Sequence, residues 1–204
     1  MNTERLPVFD MFYSVQGEGC NAGTAAFFIR LAGCNVGCDF CDEKSAWDIR
    51  NAKLSDAATI LDAVKAVKAT NVVVTGGEPT LYDLTDLTQK LCEEGIKTFL
   101  ETSGVNKITG HWDWITLSPK QNKLPLPESL YQADELKVVI AKNEDFLFAE
   151  SMRKAAMIKN PNVLCYLQSE YSQRHTVLSD IIDYIKQNPV WKLSLQTHKM
   201  INIK

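Results

Sequence analysis

The sequence predicts an α/β fold built on a mainly parallel sheet. Segments of strand length alternate with segments of helix length along most of the chain. The strand segments, such as NVVVT at 71–75, read as continuous apolar runs, the pattern of strands covered on both faces. The polar and glycine-rich segments follow the strands rather than precede them, which is where parallel sheets place their active sites.

Taken in order, AAFFIRL at 25–31 is a short apolar run and reads as a strand, and Gly33 with three cysteines follows it. SDAATILDAVKAVKAT forms a helix in which Ile60, Leu61, Val64, Ala66 and Val67 suit one face, with Ser55 as its N-cap. NVVVT is a buried strand, and TGGEP (75–79) comes at its end. Leu84, Leu87 and Leu91 mark the next helix, which Gly95 can end. IKTFLE (96–101) is a strand leading into ETSG (101–104), and WDWITL (112–117) leads into SPK (118–120). ELKVVI (135–140) is followed by a helix over about 144–158 and by the strand VLCYLQ (163–168). VLSDIIDYIKQN (177–188) is a helix that stops before Pro189, and WKLSLQ (191–196) is the last strand. Gln168 ends one late strand, and Gln196 and His198 follow the last. The helix-to-strand turns carry nothing comparable.

A chain of 204 residues fits one domain, 1–204, and 45% hydrophobic residues suffice for a normal core. The net charge of −3, from 22 Lys+Arg against 25 Asp+Glu, offers no electrostatic case for nucleic acid or an anionic membrane. MNTERLPVFD lacks the apolar core of a signal peptide, and no apolar run approaches the roughly 18 residues of a membrane span. The expected compartment is the cytoplasm.

Three of the six cysteines, Cys34, Cys38 and Cys41, fall within eight residues, and such clustering points to metal or redox chemistry rather than disulfides. Three thiolates on one loop can hold three irons of a [4Fe-4S] cluster and leave the fourth open to a chelating ligand. Zinc is the competing reading, but it takes four ligands, and the nearest following histidine is His111. Among the scattered cysteines, Cys20 is expected to be a bystander beside QGEG, and Cys92 and Cys165 to lie in the core. Trp112, Trp114 and Trp191 are expected in the core as well. The two glycines of GGEP let a backbone approach a ligand closely, and Glu78 supplies an acceptor. Neither GxxxxGK[ST] nor GxGxxG occurs, so nucleoside triphosphate and NAD readings have no support.

CNVGCDFC together with GGEP resembles the radical S-adenosylmethionine (SAM) superfamily, in which the open iron binds SAM and electron transfer splits it to a 5′-deoxyadenosyl radical. FYSVQGEGCNAGTAAFFIRLAGCNVGCDFCDEKSAWD, VVVTGGEPTLYDL, ETSG, LSPKQN and LSLQTHKMINIK further resemble the 7-carboxy-7-deazaguanine synthase family. That resemblance implies a shortened parallel (βα) partial barrel, and 204 residues are too few for an eight-unit barrel of about 250. It implies rearrangement of 6-carboxy-5,6,7,8-tetrahydropterin to 7-carboxy-7-deazaguanine with loss of ammonia, on the route to queuosine and other 7-deazapurines. The hydrogen is taken from C6 of the pterin, and SAM is regenerated. It also implies Mg²⁺, a homodimer, and an electron donor such as flavodoxin or ferredoxin.

Carried over residue by residue, the resemblance assigns Val15, Gln16, Gly17, Arg30, Thr75 and the C-terminal Lys204 to the pterin. A guanidinium at Arg30 suits a substrate carboxylate. Phe40, Cys41, Asp42, Gly77, Ser118, Pro119, Lys120 and the stretch Gln168, Ser169, Glu170 and Tyr171 are assigned to SAM. This chain has Glu43 where family members often carry a Mg²⁺-binding threonine. A carboxylate there can serve Mg²⁺ directly or, without metal, repel the substrate carboxylate. Two other readings share the cysteine motif: an activase of glycyl-radical enzymes, which has no reason to carry QGEG or QTHK, and an iron–sulfur electron carrier, which would prefer a fourth nearby cysteine.

Overall fold

A computed structural model describes residues 5–204. Among the described residues nine strands form one sheet: β1 Leu6–Val15, β2 Ala25–Leu31, β3 Lys53–Ser55, β4 Asn71–Gly76, β5 Lys97–Thr102, β6 Trp114–Leu117, β7 Glu135–Ile140, β8 Leu164–Ser169 and β9 Trp191–Ser194. The order is β3-β1-β2-β4-β5-β6-β7-β8-β9. Every pair from β2 to β9 is parallel, whereas β1 runs antiparallel to both β2 and β3. The helices are α1 Ala57–Ala66, α2 Thr85–Glu93, α3 Pro127–Gln132, α4 Asp145–Met157, α5 Arg174–Gln187 and the single turn α6 Thr197–Met200.

The expected α/β alternation holds from β3 onward, except that β6 follows β5 with no helix between them, and several local expectations are corrected. The cap of α1 is Asp56, which accepts the Thr59 N–H at 2.8 Å, while Ser55 is buried at the end of β3. Gly95 does end α2: at φ +70 it turns the chain so that the Gly95 and Ile96 N–H groups reach back to the Cys92 and Leu91 carbonyls. β8 runs one residue further than expected, to Ser169, and β9 stops at Ser194. Cys92 is exposed, because it lies off the apolar face set by Leu87 and Leu91, whereas Cys165 is buried. Trp191 is fully buried, but Trp112 and Trp114 are only partly so.

The strands are apolar on their outer face, where they meet helices. Ile29, Leu31, Val72, Val74 and Leu100 pack with Ile60 and Val64 of α1 and Leu87 and Leu91 of α2. Leu136, Val138, Cys165 and Leu167 pack with Ala149 of α4 and with Val177 and Ile181 of α5. The inner face is divided. At one end of the sheet it is apolar, with Ala26, Phe28 and Val73 packed by Phe12 and Phe99. Towards the strands' carboxyl ends it carries Arg30, Thr75, Glu101, Gln168 and Ser194, with Lys137 midway along β7. The strands read as apolar runs because these polar residues are few and most come late.

The β1–β2 hairpin rolls the sheet into a partial barrel. Its loop crosses the concave face, where the Gly19 N–H donates to Ser194 Oγ at the end of β9 (3.0 Å) and the Cys20 N–H donates to Glu135 Oε2 on β7 (2.9 Å). Gly17 O then accepts the Thr197 N–H of α6 at 3.0 Å. Four elements thus converge at the mouth of the barrel.

Candidate active site

The first half of the loop after β2 is held by a series of hydrogen bonds. The Gly33 N–H donates to Ala46 O at 2.7 Å, Tyr82 donates its hydroxyl to Ala32 O at 2.8 Å, Lys123 Nζ donates to Asn35 O at 2.8 Å and Asn122 Nδ2 to Val36 O at 2.8 Å. These bonds present Cys34, Cys38 and Cys41, all free thiols, to one cavity. Burial pushes the Cys38 thiol up; Lys120 opposes that, and Cys34 and Cys41 reinforce it. Three thiolates that repel one another suit a polynuclear cationic core, which deprotonates its ligands. Among the described residues no three His, Cys, Asp or Glu side chains close on a single metal ion. Three thiols on one loop facing one cavity are a donor set that fits an iron–sulfur cluster, which Cys34, Cys38 and Cys41 could hold.

The end of β4 backs directly onto this loop. The Gly77 N–H donates to Leu31 O at 2.9 Å and the Glu78 N–H to Gly33 O at 2.8 Å. A Cβ on Gly77 would lie 2.1 Å from Gly33 O, so no other residue fits without moving the cysteine loop. Glu78 is buried and saturated. Its Oε1 accepts the Thr80 N–H (3.1 Å), Thr80 Oγ1 (2.7 Å) and Thr102 Oγ1 (2.5 Å), and its Oε2 accepts the Ser103 N–H (2.8 Å) and hydroxyl. TGGEP and ETSG are thereby stitched into one wall.

Two chambers meet behind these loops. The first, about 230 Å³, is lined by the three cysteines, Phe40, Asp42, Gly77, Ser118, Lys120 and the run from Gln168 to Tyr171. Of the residues assigned to SAM, only Pro119 lies outside it, facing a neighbouring groove with Lys142 and Phe148. The second, about 360 Å³, takes in Val15, Gln16, Gly17, Arg30, Glu43, Thr75 and Lys204, every residue assigned to the pterin together with the candidate Mg²⁺ ligand. Its apolar floor includes Phe12 and Phe28, stacked with centroids 5.0 Å apart. Glu18, Asp42, Thr75, Glu101 and Gln196 line both chambers and form the passage between them.

Arg30 stands opposite Asp10 in the β1–β2 register, yet Asp10 takes its ion pair from Lys204 Nζ at 2.5 Å. Among the described residues Arg30 has no carboxylate partner, so its guanidinium is free to meet a ligand. Ser14 donates to the Lys204 carbonyl, which closes the chain end over the second chamber. Gly17 is held tightly here: a Cβ would fall 2.2 Å from His198 Nδ1. Asp42 forms an ion pair with Lys199 Nζ at 2.6 Å and accepts Gln196 Nε2 at 3.2 Å, tying the cysteine loop to α6. Glu43 accepts the Ser45 hydroxyl.

At the passage lies a group that the sequence reading did not assign. Lys137 Nζ, almost fully buried on β7, donates to Glu18 Oε2 at 2.7 Å and Glu101 Oε2 at 2.9 Å. Burial would raise the Glu18 carboxyl, but Lys137 outweighs it and holds the group down at about 2. Burial raises Glu101; Lys137 offsets only part of this, and the Glu18 charge adds to it. For Lys137 itself, burial favours the neutral amine, yet Glu101 and Glu18 win and keep it charged. The available signal was a lysine inside the apolar run ELKVVI, since a buried ammonium needs carboxylate partners.

The comparisons with known proteins agree with this geometry. Residues 28–115 match the radical SAM superfamily. The chain is 47% identical to the 7-carboxy-7-deazaguanine synthase of Flavobacterium psychrophilum over 201 residues, spanning 98% of this chain and 93% of that one. The chain belongs to the 7-carboxy-7-deazaguanine synthase family. Synthases of this family from Synechocystis and Escherichia coli K12 are 41% and 33% identical, each aligned over nearly the whole of both chains. The crystal structure of QueE from Escherichia coli superposes with a TM-score of 0.82 at 29% identity, covering 94% of this chain and 93% of that one. Streptococcus suis SuiB, bound to SAM, shares the fold at 18% identity with a TM-score of 0.52, over 80% of this chain and 44% of its own. Full-length membership of a synthase family leaves the activase and electron-carrier readings without support.

Proposed function

We propose that this chain converts 6-carboxy-5,6,7,8-tetrahydropterin to 7-carboxy-7-deazaguanine and ammonia as a radical SAM enzyme on the queuosine route. The observation that carries this is the pair of joined chambers. One presents three cysteines and the other an arginine that has no carboxylate partner among the described residues, over stacked aromatic rings, with a common wall between them. Bound in the first chamber, a [4Fe-4S] cluster and SAM supply a hydrogen-abstracting carbon radical. The remaining work falls to this chain's side chains.

Arg30 meets the substrate carboxylate with its planar fork, and the Phe12–Phe28 stack supports the pterin ring. Val15, Gln16 and Gly17 border the pterin with backbone groups, and Thr75 sits where both ligands meet. Lys204 closes the chamber over the pterin and limits the entry of water. Phe40, Cys41, Asp42, Gly77, Ser118, Lys120 and the segment Gln168–Tyr171 receive SAM, with Pro119 shaping that segment from outside. Glu43 would offer its carboxylate to Mg²⁺, a hard cation that would neutralise the negative charge facing the substrate carboxylate.

A homodimer fits the exposed Tyr13, Val15, Met200 and Ile201 and the outer edge of β1, which beyond Val8 has no partner among the described residues. Flavodoxin or ferredoxin is the proposed reductant, and the cytoplasm the proposed compartment. Among the described residues no helix is long and apolar enough to cross a membrane. The test is anaerobic reconstitution with iron and sulfide, then incubation with SAM, a reductant and the carboxytetrahydropterin. Product with the mass of 7-carboxy-7-deazaguanine and one ammonia per product support the proposal; SAM cleavage that ignores the pterin contradicts it.

A further inference from the structure

We propose that Glu101 is the acid–base residue for the loss of ammonia, with Lys137 and Glu18 as its positioning residues. The inference rests on the reaction just proposed and concerns the half of it that is not radical chemistry.

Ammonia loss from the ring-contracted isomer is redox-neutral. A C–H bond breaks, its electron pair becomes the new ring double bond, and the proton goes to a base. The adjacent C–N bond breaks, its pair stays on nitrogen, and that nitrogen must gain a proton to leave as ammonia. One carboxylate can do both, taking the C–H proton and returning it to the departing nitrogen. Such a group must reach the substrate, be ionised at the start, and be basic enough to accept the proton.

Three features single out Glu101. It lines both chambers, so its carboxylate borders both the pterin site and the radical source. Its Oε2 is fixed by Lys137, while Oε1 receives only a long 3.2 Å bond from Gln16 Nε2, which leaves acceptor capacity facing the cavity. Its side chain is 19% exposed, and the cavities account for that opening. Glu18 is similarly exposed but differently held. Both of its oxygens take strong donors, Lys137 Nζ at 2.7 Å and Gln196 Nε2 at 2.9 Å, and it stays ionised with a value of about 2. Burial raises Glu101, Lys137 lowers it and Glu18 raises it again, which gives Glu101 the basicity that Glu18 lacks. The charged or titratable groups facing this space also include Lys120 after β6, Glu135 on β7, Asp42, Glu43 and the three cysteines on the cysteine loop, Glu78 after β4, Asp10 on β1, Arg30 on β2, Glu170 after β8, and His198, Lys199 and Lys204 at and beyond α6.

The experiment uses the reconstituted holoenzyme with SAM, reductant and pterin deuterated at C6. It follows deuterium transfer into SAM separately from ammonia release. Glu101→Gln keeps the shape and the bond to Lys137 but cannot move a proton. It should lower ammonia release by about 100-fold or more, the scale of acid–base catalysis, while deuterium transfer continues near the wild-type rate. Glu101→Asp should restore part of the ammonia release. Glu18→Gln removes the negative neighbour, so the acid limb of the ammonia-release pH profile should move to lower pH. The inference is overturned if Glu101→Gln releases ammonia at the wild-type rate, or if transfer and release fall together. Should Glu101→Gln fail to fold, an unmoved acid limb in Glu18→Gln overturns it. A wild-type protein that makes no product defeats the proposed function instead.

Discussion

Replacing Lys137 by methionine removes the single cation between two carboxylates. Lys137 Nζ lies 2.7 Å from Glu18 and 2.9 Å from Glu101, and its side chain is 5% exposed. Methionine fills most of the volume, so the chief loss is electrostatic. Removing one partner of a buried ion pair costs roughly 3–5 kcal/mol, because the other charge is left uncompensated. In a chain of this size each kcal/mol moves Tm by about 2–4 °C, so a fall of roughly 6–20 °C is expected near neutral pH. The pH dependence is the sharper part. In the wild type, Glu18 is held at about 2 against an ordinary 4.5. That shift corresponds to about 3 kcal/mol of stability, present above the ordinary value and lost as pH falls through the depressed one. Without Lys137, burial raises both carboxyls, and protonation then relieves the variant as pH falls. Calorimetry on both proteins between about pH 7.5 and pH 5.5 should therefore show the Tm gap narrowing on acidification. A variant as stable as wild type at neutral pH, or a gap indifferent to pH, refutes the reasoning.

Cys38→Ala should lose the visible absorbance of the reconstituted cluster and all product formation, whereas Cys92→Ala, at an exposed position, should keep both. Arg30→Lys keeps the charge and loses the fork, and should weaken pterin binding by roughly 1–3 kcal/mol, read as a raised KM. Gly77→Ala must displace Gly33, so it should lower cluster loading measured as iron per chain. If Glu43 holds Mg²⁺ against the substrate carboxylate, chelator should depress wild-type activity mainly through KM. Two unit charges about 4 Å apart repel by roughly 4 kcal/mol at an effective dielectric near 20.

Much of the site was legible because parallel sheets put chemistry at one end. Cys34, Gly77 and Ser118 all follow strands, and each reaches the first chamber. The antiparallel β1 was not read as a strand. LPVFDMFYSV mixes the buried Leu6 and Val8 with Asp10 and the exposed Tyr13, so neither a continuous run nor a clean alternation appears. α3, at six residues, is too short to show a period. Lys137 was hidden for a different reason. Its meaning depends on Glu18 and Glu101, 119 and 36 residues away in sequence, which meet it only when the hairpin crosses the barrel mouth. Cys92 failed because a cysteine next to an apolar stripe can point either way, and here it points to solvent.

The claim at the centre of this account is that the two chambers hold SAM and the pterin side by side, so that hydrogen passes directly between them. Turnover of C6-deuterated carboxytetrahydropterin by the reconstituted wild-type enzyme tests it most directly. Direct transfer between adjoining chambers puts deuterium in the recovered SAM, growing with turnover and absent when the pterin is omitted. Product formed with no deuterium ever reaching SAM would contradict it.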